Sequence, residues 1–263
     1  MFGVATVWSR LLFAACVALL LSPTPNLLAH DPEAEEVEAA PEPDWDFELG
    51  LSYLATTGNS DTSSGGLNAL YKKDWEPWSF EASAFFLRAE DSGSTTAERY
   101  GASLLGARAI NANWALTAGL TGERDLFSGI DFRSVVSAGV KWLIVDSESW
   151  VFNATGALTW TNEDLGGDLG SDDYIGALFG LNSKWVLSAN SEAFTNLLYF
   201  PNFDNSDDYR FEGEAGLRAN LNTRLALQLT YGVRYDNVPV PGFEKTDTVS
   251  TASIVVKLPS AGS

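Results

Sequence analysis

The stretch 224–235, Arg-Leu-Ala-Leu-Gln-Leu-Thr-Tyr-Gly-Val-Arg-Tyr, decides the fold. Leu225, Leu227, Leu229, Tyr231, Val233 and Tyr235 take every second place, with Arg224, Gln228, Thr230 and Arg234 between them. A period of two marks a strand whose two faces meet unlike surroundings. The pattern recurs along the chain. Trp45, Phe47, Leu49, Leu51, Tyr53 and Ala55 alternate with Asp46, Glu48, Gly50 and Ser52. Trp78, Phe80, Ala82, Ala84 and Phe86 alternate with Ser79, Glu81, Ser83 and Phe85. Trp114 to Leu120 and Trp150 to Trp160 repeat it.

Twelve such runs are read, at 45–57, 63–74, 77–90, 95–110, 113–125, 130–145, 149–162, 172–187, 190–201, 207–220, 223–236 and 245–258. Most exceed the ~10 residues that a tilted strand needs to cross a bilayer. Their connections alternate in length. Tight turns are read at 74–77, 111–113, 146–149, 188–190 and 220–222, and longer polar loops at 58–63, 91–95, 125–129, 162–172, 201–207 and 237–244. Short turns on one side and long loops on the other, over an even number of strands, is the build of an outer-membrane barrel. The expected fold is therefore all-β, a 12-stranded antiparallel transmembrane β-barrel over 45–258. Closure follows because an open sheet edge in hydrocarbon leaves backbone groups unpaired.

Tryptophan placement gives a second test. Trp45, Trp75, Trp78, Trp114, Trp142, Trp150 and Trp185 all fall near the expected periplasmic strand ends. Indole is amphipathic and collects at the lipid–water boundary, so these residues form a candidate aromatic girdle. Trp160, Tyr174, Phe200, Tyr209 and Tyr235 are read as the opposite girdle.

The face opposite the apolar one carries charge. Its candidate lumen residues are Arg133, Lys141, Lys184, Glu192, Arg210, Glu212, Glu214, Arg218, Arg224, Arg234 and Lys257, joined in the early strands by Asp46, Glu48, Lys72, Glu81 and Arg99. A Lys or Arg facing lipid at the midplane costs about 2–4 kcal/mol, so these side chains are expected to point inward and pair around the lumen. Two functions fit such an interior. One is a narrow pore for small solutes, in which Arg210, Arg218, Arg224 and Arg234 attract anions. The other is a non-conducting barrel, salt-bridged through Glu212 and Glu214, that works through its acidic loops or its acidic N-terminal segment.

The N-terminal 29 residues read as a secretory signal: a start ending in Arg10, the apolar run Leu11–Leu21, breakers at Pro23 and Pro25, and a small residue at Ala29. A retained anchor and, at Cys16, a lipoprotein site are the competing readings, and the run is short for a membrane span. His30 to Asp44, HDPEAEEVEAAPEPD, is acidic, proline-rich and aperiodic, and is expected to be a disordered periplasmic spacer. Residues 259–263 are read as a C-terminal extension.

Composition excludes several functions. The chain of 263 residues has 35 Asp+Glu against 16 Lys+Arg, a formal charge of −19, which disfavours nucleic acid and anionic lipid surfaces as partners. The single histidine, His30, lies in the spacer, and cleavage after Ala29 removes Cys16, the single cysteine. Neither a Ser-His nor a Cys-His arrangement can form in the barrel, so no enzyme and no cofactor is expected. Glu163, Asp164, Asp168, Asp172 and Asp173, with Asp204, Asp207 and Asp208, make the loops acidic. Small solutes or divalent cations are conceivable partners there, but no fixed ligand spacing occurs and solvated loop tips explain the residues as well.

Two elements carry a family resemblance. Thr57-Gly58-Asn59-Ser60 closes the first strand, and the last hairpin runs from Tyr235-Asp236-Asn237-Val238-Pro239-Val240-Pro241-Gly242-Phe243 through Glu244-Lys245-Thr246-Asp247-Thr248 to Thr251-Ala252-Ser253. Over 45–258 the chain resembles the YdiY-like family of salt-induced outer-membrane proteins, domain of unknown function 481. The resemblance implies an outer-membrane barrel, with outer-membrane lipid and the barrel assembly machinery as partners. It brings no substrate and no catalytic residue. Such barrels commonly finish on an aromatic residue that the assembly machinery reads, whereas Leu258 holds that place here.

Overall fold

The computed structural model describes residues 45–56, 62–126, 128–165 and 170–259. The expected signal segment 1–29, the spacer 30–44 and the tail 260–263 lie outside the described residues, as does the Gly58-Asn59-Ser60 element.

Twelve strands form one closed sheet. In chain order they are β1 Trp45–Thr56, β2 Thr62–Trp75, β3 Trp78–Asp91, β4 Ser94–Ala109, β5 Trp114–Asp125, β6 Ile130–Asp146, β7 Trp150–Asp164, β8 Ser171–Ser188, β9 Ser191–Pro201, β10 Tyr209–Asn220, β11 Leu225–Asp236 and β12 Thr246–Pro259. Each pairs antiparallel with its chain neighbours, and β1 closes on β12 from Asp46↔Pro259 to Ser52↔Ser253. The strands run from 11 residues in β9 to 18 in β8, long enough for a tilted bilayer crossing. The last strand takes in Pro259, one residue beyond the expected end.

One connection differs from expectation. The segment 91–95 is not a long loop: β3 and β4 join through Ser92 and Gly93 alone. Both have positive φ, 51° and 78°, the backbone of a two-residue hairpin turn that follows the strand twist. Short-long alternation is therefore broken at this hairpin, and the β5–β6 connection, 126–129, is no longer than the turn at 110–113.

The register settles which residues share a face. Leu51 pairs with Leu67, Leu67 with Phe86, and Phe86 with Tyr100. Leu104 then pairs with Leu120, Leu120 with Val136, and Val136 with Trp160. These side chains form an apolar band with no second layer over it. Leu158 is 65% exposed, Leu229 58% and Ile175 56%. A water-soluble monomer rarely presents a continuous apolar patch beyond a few hundred Å². Hydrocarbon is the solvent that accommodates this band.

The enclosed positions mix apolar residues, Ile130, Tyr174, Ala177, Ala226 and Val255, with charged and polar ones that a soluble core of this size seldom holds. Glu123, Asp125, Arg133 and Arg210 are buried, together with Thr117, Thr159, Thr161 and Ser253. All lie on the face opposite the apolar band.

Seven of the eight described tryptophans, all but Trp160, cluster at the end of the barrel that holds both termini of the sheet. Trp75 pairs across the turn with Trp78, and Trp150 with Trp185. Trp114 stacks on Trp142 at 5.4 Å with their planes 1° apart, and Trp45 stacks on Tyr71 at 6.3 Å. At the other end Tyr199, Tyr209 and Tyr235 form an outward row with 6.0 Å between successive rings. Tyr174 and Phe200 do not join it. Tyr174 is buried, its hydroxyl 3.0 Å from Glu163 Oε1, and Phe200 lies under the Arg210 guanidinium at 5.0 Å. Both strands are apolar on both faces here (Tyr174-Ile175 and Leu197 to Phe200), so composition alone does not fix the phase.

Candidate functional site

The charged face of the sheet turns into the lumen, and its longest contacts cross it. β5 and β11 lie six places apart in the ring of twelve, on opposite sides of the barrel. Arg234 on β11 nevertheless reaches β5: its Nη2 is 2.9 Å from Glu123 Oε1, and its Nη1 bonds Asp125 Oδ2. The same Nη2 donates to Glu212 on β10 at 3.0 Å.

Around this crossing a bar of paired charge fills the lumen toward the long-loop end. Arg99 on β4 meets Glu123 at 2.9 Å and Asp125 at 3.2 Å. Arg133 on β6 meets Glu123 at 3.2 Å and also bonds Glu163 on β7. Arg210 on β10 lies 3.9 Å from Glu163. Four guanidiniums thus face Glu123, Asp125, Glu163 and Glu212. Each arginine offers several N–H groups in one plane, so a single one can bridge carboxylates on two or three strands. Arg133 is only 4% exposed and Asp125 2%, a degree of enclosure that charged groups tolerate only when paired and hydrogen-bonded.

The mouth above the bar is covered. The β5–β6 and β11–β12 connections, on opposite sides of the ring, meet over it. A Cβ on Gly129 would stand 2.4 Å from the Phe243 ring, so glycine is what admits that ring. Gly129 also has φ +73°, which disfavours any side chain there. Ser128 Oγ lies 3.4 Å from Asp247 Oδ2.

Below the bar is a chamber of about 480 Å³. Its polar wall includes Ser52, Asn68, Asn196, Gln228, Thr230 and Thr251, and its apolar wall includes Phe85, Leu87 and Leu198. Glu214 projects into it. Toward the tryptophan end a second set of charges lines the wall. Arg218 holds Glu48 through two bonds of 2.9 Å, receives further support from Gln228 at 2.9 Å, and lies 3.8 Å from Glu192. Lys72 pairs with Glu81 at 3.2 Å, and Lys257 donates to Asn220 at 2.8 Å.

The residues singled out from sequence separate into groups. The bar unites Arg133, Arg210, Glu212 and Arg234, and the lower set unites Arg218, Glu192, Glu48 and Lys257. Lys141 faces Glu81, Lys72 and Asp74, Lys184 stands at the tryptophan end, and Glu214 stands apart in the chamber. Arg224 lies outside the strands. It lies in the β10–β11 turn, exposed, where Asn222 Oδ1 accepts from the Arg224 and Leu225 amides and pins the turn. Its carbonyl accepts from the Lys257 amide at 2.7 Å, so it stands at the rim of the barrel, while Arg210 and Arg234 belong to the bar and Arg218 to the lower set.

Sequence reading missed Glu123, Asp125 and Glu163, the acidic half of the bar. The signal was present for the first two: the phase of Thr117, Gly119 and Thr121 continues to Glu123 and Asp125. Glu163 was read as loop because β7 extends two residues further than its apolar pattern. Among the described residues no group of three or more His, Cys, Asp or Glu side chains is placed to hold a metal ion. The lumen offers polar walls and a bar of paired charge.

The barrel is similar to solved outer-membrane proteins. A crystal structure of an outer membrane channel from Pseudomonas putida F1 aligns with TM-score 0.52 at 14% identity, covering 87% of this chain and 100% of that one. The NanC porin aligns with TM-score 0.47 at 10% identity, over 81% and 97%. The translocator domain of the autotransporter NalP from Neisseria meningitidis aligns with TM-score 0.44 at 11% identity, over 96% and 95%. No curated protein sequence matches the chain. Residues 48–258 match the family described as "Protein of unknown function, DUF481", which takes in every strand from within β1 to within β12, and the chain belongs to that family.

Proposed function

We propose that this chain is an outer-membrane channel of a Gram-negative bacterium that passes small polar solutes, exported by a cleaved signal over 1–29 and inserted by the barrel assembly machinery. The observation that supports the reading is the chamber of about 480 Å³ inside the barrel, polar on one side and bounded above by charge. Side chains that merely filled the interior would leave no such space. In this conformation the bar and the covered mouth close the upper end. Passage requires Arg234 to leave Glu123 and Asp125, an exchange of partners within a balanced set, since both carboxylates also touch Arg99. No catalytic step is assigned: the chain's one histidine and one cysteine both precede the barrel.

The crossing of the lumen by Arg234 favours a second reading, a non-conducting barrel that acts through its acidic loops or N-terminal segment. Planar-bilayer recording separates the two. For a channel, the wild type gives small stepwise conductance, and Arg234→Ala raises the step several-fold because the crossing link is gone. Silence from both, with the heat-modifiable band of an intact barrel, supports the second reading.

A further inference from the structure

We propose that the lumen selects small monovalent cations, with the Glu214 carboxylate as the selectivity site; this rests on the channel reading above. The argument begins with the arginines. Each guanidinium of the bar already has carboxylate partners: Arg99 has Glu123 and Asp125, Arg133 has Glu123 and Glu163, and Arg234 has Glu123, Asp125 and Glu212. Arg210 is held between Glu163 and the Phe200 ring. An anion entering from above meets no guanidinium free to receive it.

Glu214 is different. It sits midway along β10, opposite Asn196 on β9 and Gly232 on β11. Its nearest polar partner is the neutral Asn196 side chain. Among the described residues it takes part in no ion pair within 4.0 Å, and its side chain is open to the chamber. A carboxylate without a counter-ion in a narrow lumen lowers the energy of a passing cation and raises that of an anion. Low-dielectric walls strengthen the effect, and Phe85, Leu87, Leu198 and Val249 supply them. Asn68, Gln228, Thr230 and Thr251 bring amide and hydroxyl oxygens to the same space, and these replace part of the hydration shell of an alkali or small ammonium ion. One carboxylate among neutral oxygens suits a single charge. A divalent ion asks for several carboxylates.

The remaining charges do not reverse this sign. Below the chamber Arg218 is bound to Glu48, and Lys72 to Glu81. Lys141 faces Glu81 and Asp74 as well as Lys72, Lys257 donates to Asn220 and stands opposite Glu48 on β1, and Lys184 is exposed at the far end beside Trp185. Above the bar the loop-end termini of β6 and β8 carry Asp131, Asp172 and Asp173, and the β9–β10 connection carries Asp204, Asp207 and Asp208; these concentrate cations at the mouth at low salt.

Reversal potentials of the purified full chain across a tenfold KCl gradient test the proposal, with the concentrated side at 1 M, where the exposed loop charges there are screened within ~3 Å. The expected wild-type preference for potassium over chloride is at least fivefold. Glu214→Gln, equal in size, brings it within twofold of unity, and Glu214→Lys inverts it. Asp173→Asn, on the rim, leaves it within twofold of wild type. Steady conductance that is non-selective or chloride-selective overturns the cation proposal and leaves the channel reading standing. A preference unchanged in Glu214→Gln, which keeps the barrel's heat-modifiable band, overturns the assignment to Glu214. Silence from wild type and from Arg234→Ala overturns both.

Discussion

Glu123 is the residue on which the lumen turns. It accepts from Arg99, Arg133 and Arg234, so three strands besides its own are tied to one carboxylate. Removing one member of a buried charged set leaves the others desolvated without compensation, at a cost of about 3–5 kcal/mol. Glu123→Gln keeps the shape and removes the charge. We expect it to lower the unfolding free energy of the barrel by about 3 kcal/mol in reversible urea unfolding in lipid, on that basis. A change under about 0.5 kcal/mol, the size of an ordinary surface substitution, contradicts the role given to the bar. Individual lumen residues were legible from sequence wherever a polar residue stood in an otherwise apolar alternation, as Arg234 does between Val233 and Tyr235. Their partners were not. The pairing of Arg234 with Glu123 depends on how the closed sheet brings opposite strands together, and no local pattern encodes that. Arg224 marks a boundary that local pattern does not fix: it continues the phase of Ala226 and Gln228, but Asn222 captures the backbone and the strand begins at Leu225.

At the scale of one strand, β11 states the physics most plainly. Leu229 and Thr230 are neighbours in sequence, yet Leu229 is 58% exposed on the apolar band while Thr230 lines the chamber. The same new charge should therefore have unlike effects at the two places. Leu229→Arg sets a guanidinium against hydrocarbon and is expected to destabilise the barrel by about 2–4 kcal/mol. Thr230→Arg places it in a polar space near Glu214 and is expected to cost under about 1 kcal/mol, since a lumen substitution tunes selectivity more than stability. Urea unfolding in vesicles measures both, and equal losses contradict the assignment of faces. The strands themselves were legible because lipid imposes a strict period of two over ten or more residues. The Ser92-Gly93 turn was misjudged as a loop because polarity and glycine mark both tight turns and long ones, and the positive φ of both residues decides between them. Tyr174 and Phe200 were put on the wrong face for a related reason. Where both faces are apolar the period disappears, and only the register with the neighbouring strand restores it.

For the molecule as a whole, the inversion of polarity is the organising fact. A soluble protein of this size gathers leucine and phenylalanine inside; here the enclosed positions include Glu123, Asp125, Arg133, Arg210 and a set of threonines beside a few apolar residues such as Ile130 and Val255, and many of the leucines form the outer band. The closed ring removes the strand edges that hydrocarbon would leave unpaired, and it also creates the enclosed space in which charge must balance itself. The proposed channel, with its proposed closure and cation preference, builds on that arrangement. Site-directed spin labelling of residues 226–233, one cysteine at a time, in a protein refolded into lipid vesicles, tests it most directly. Labels at Leu227, Leu229, Tyr231 and Val233 should be reached by oxygen dissolved in the bilayer and shielded from a water-soluble nickel chelate, with Gln228 and Thr230 showing the opposite preference. Accessibility without that two-residue period, or with its phase reversed, contradicts the account.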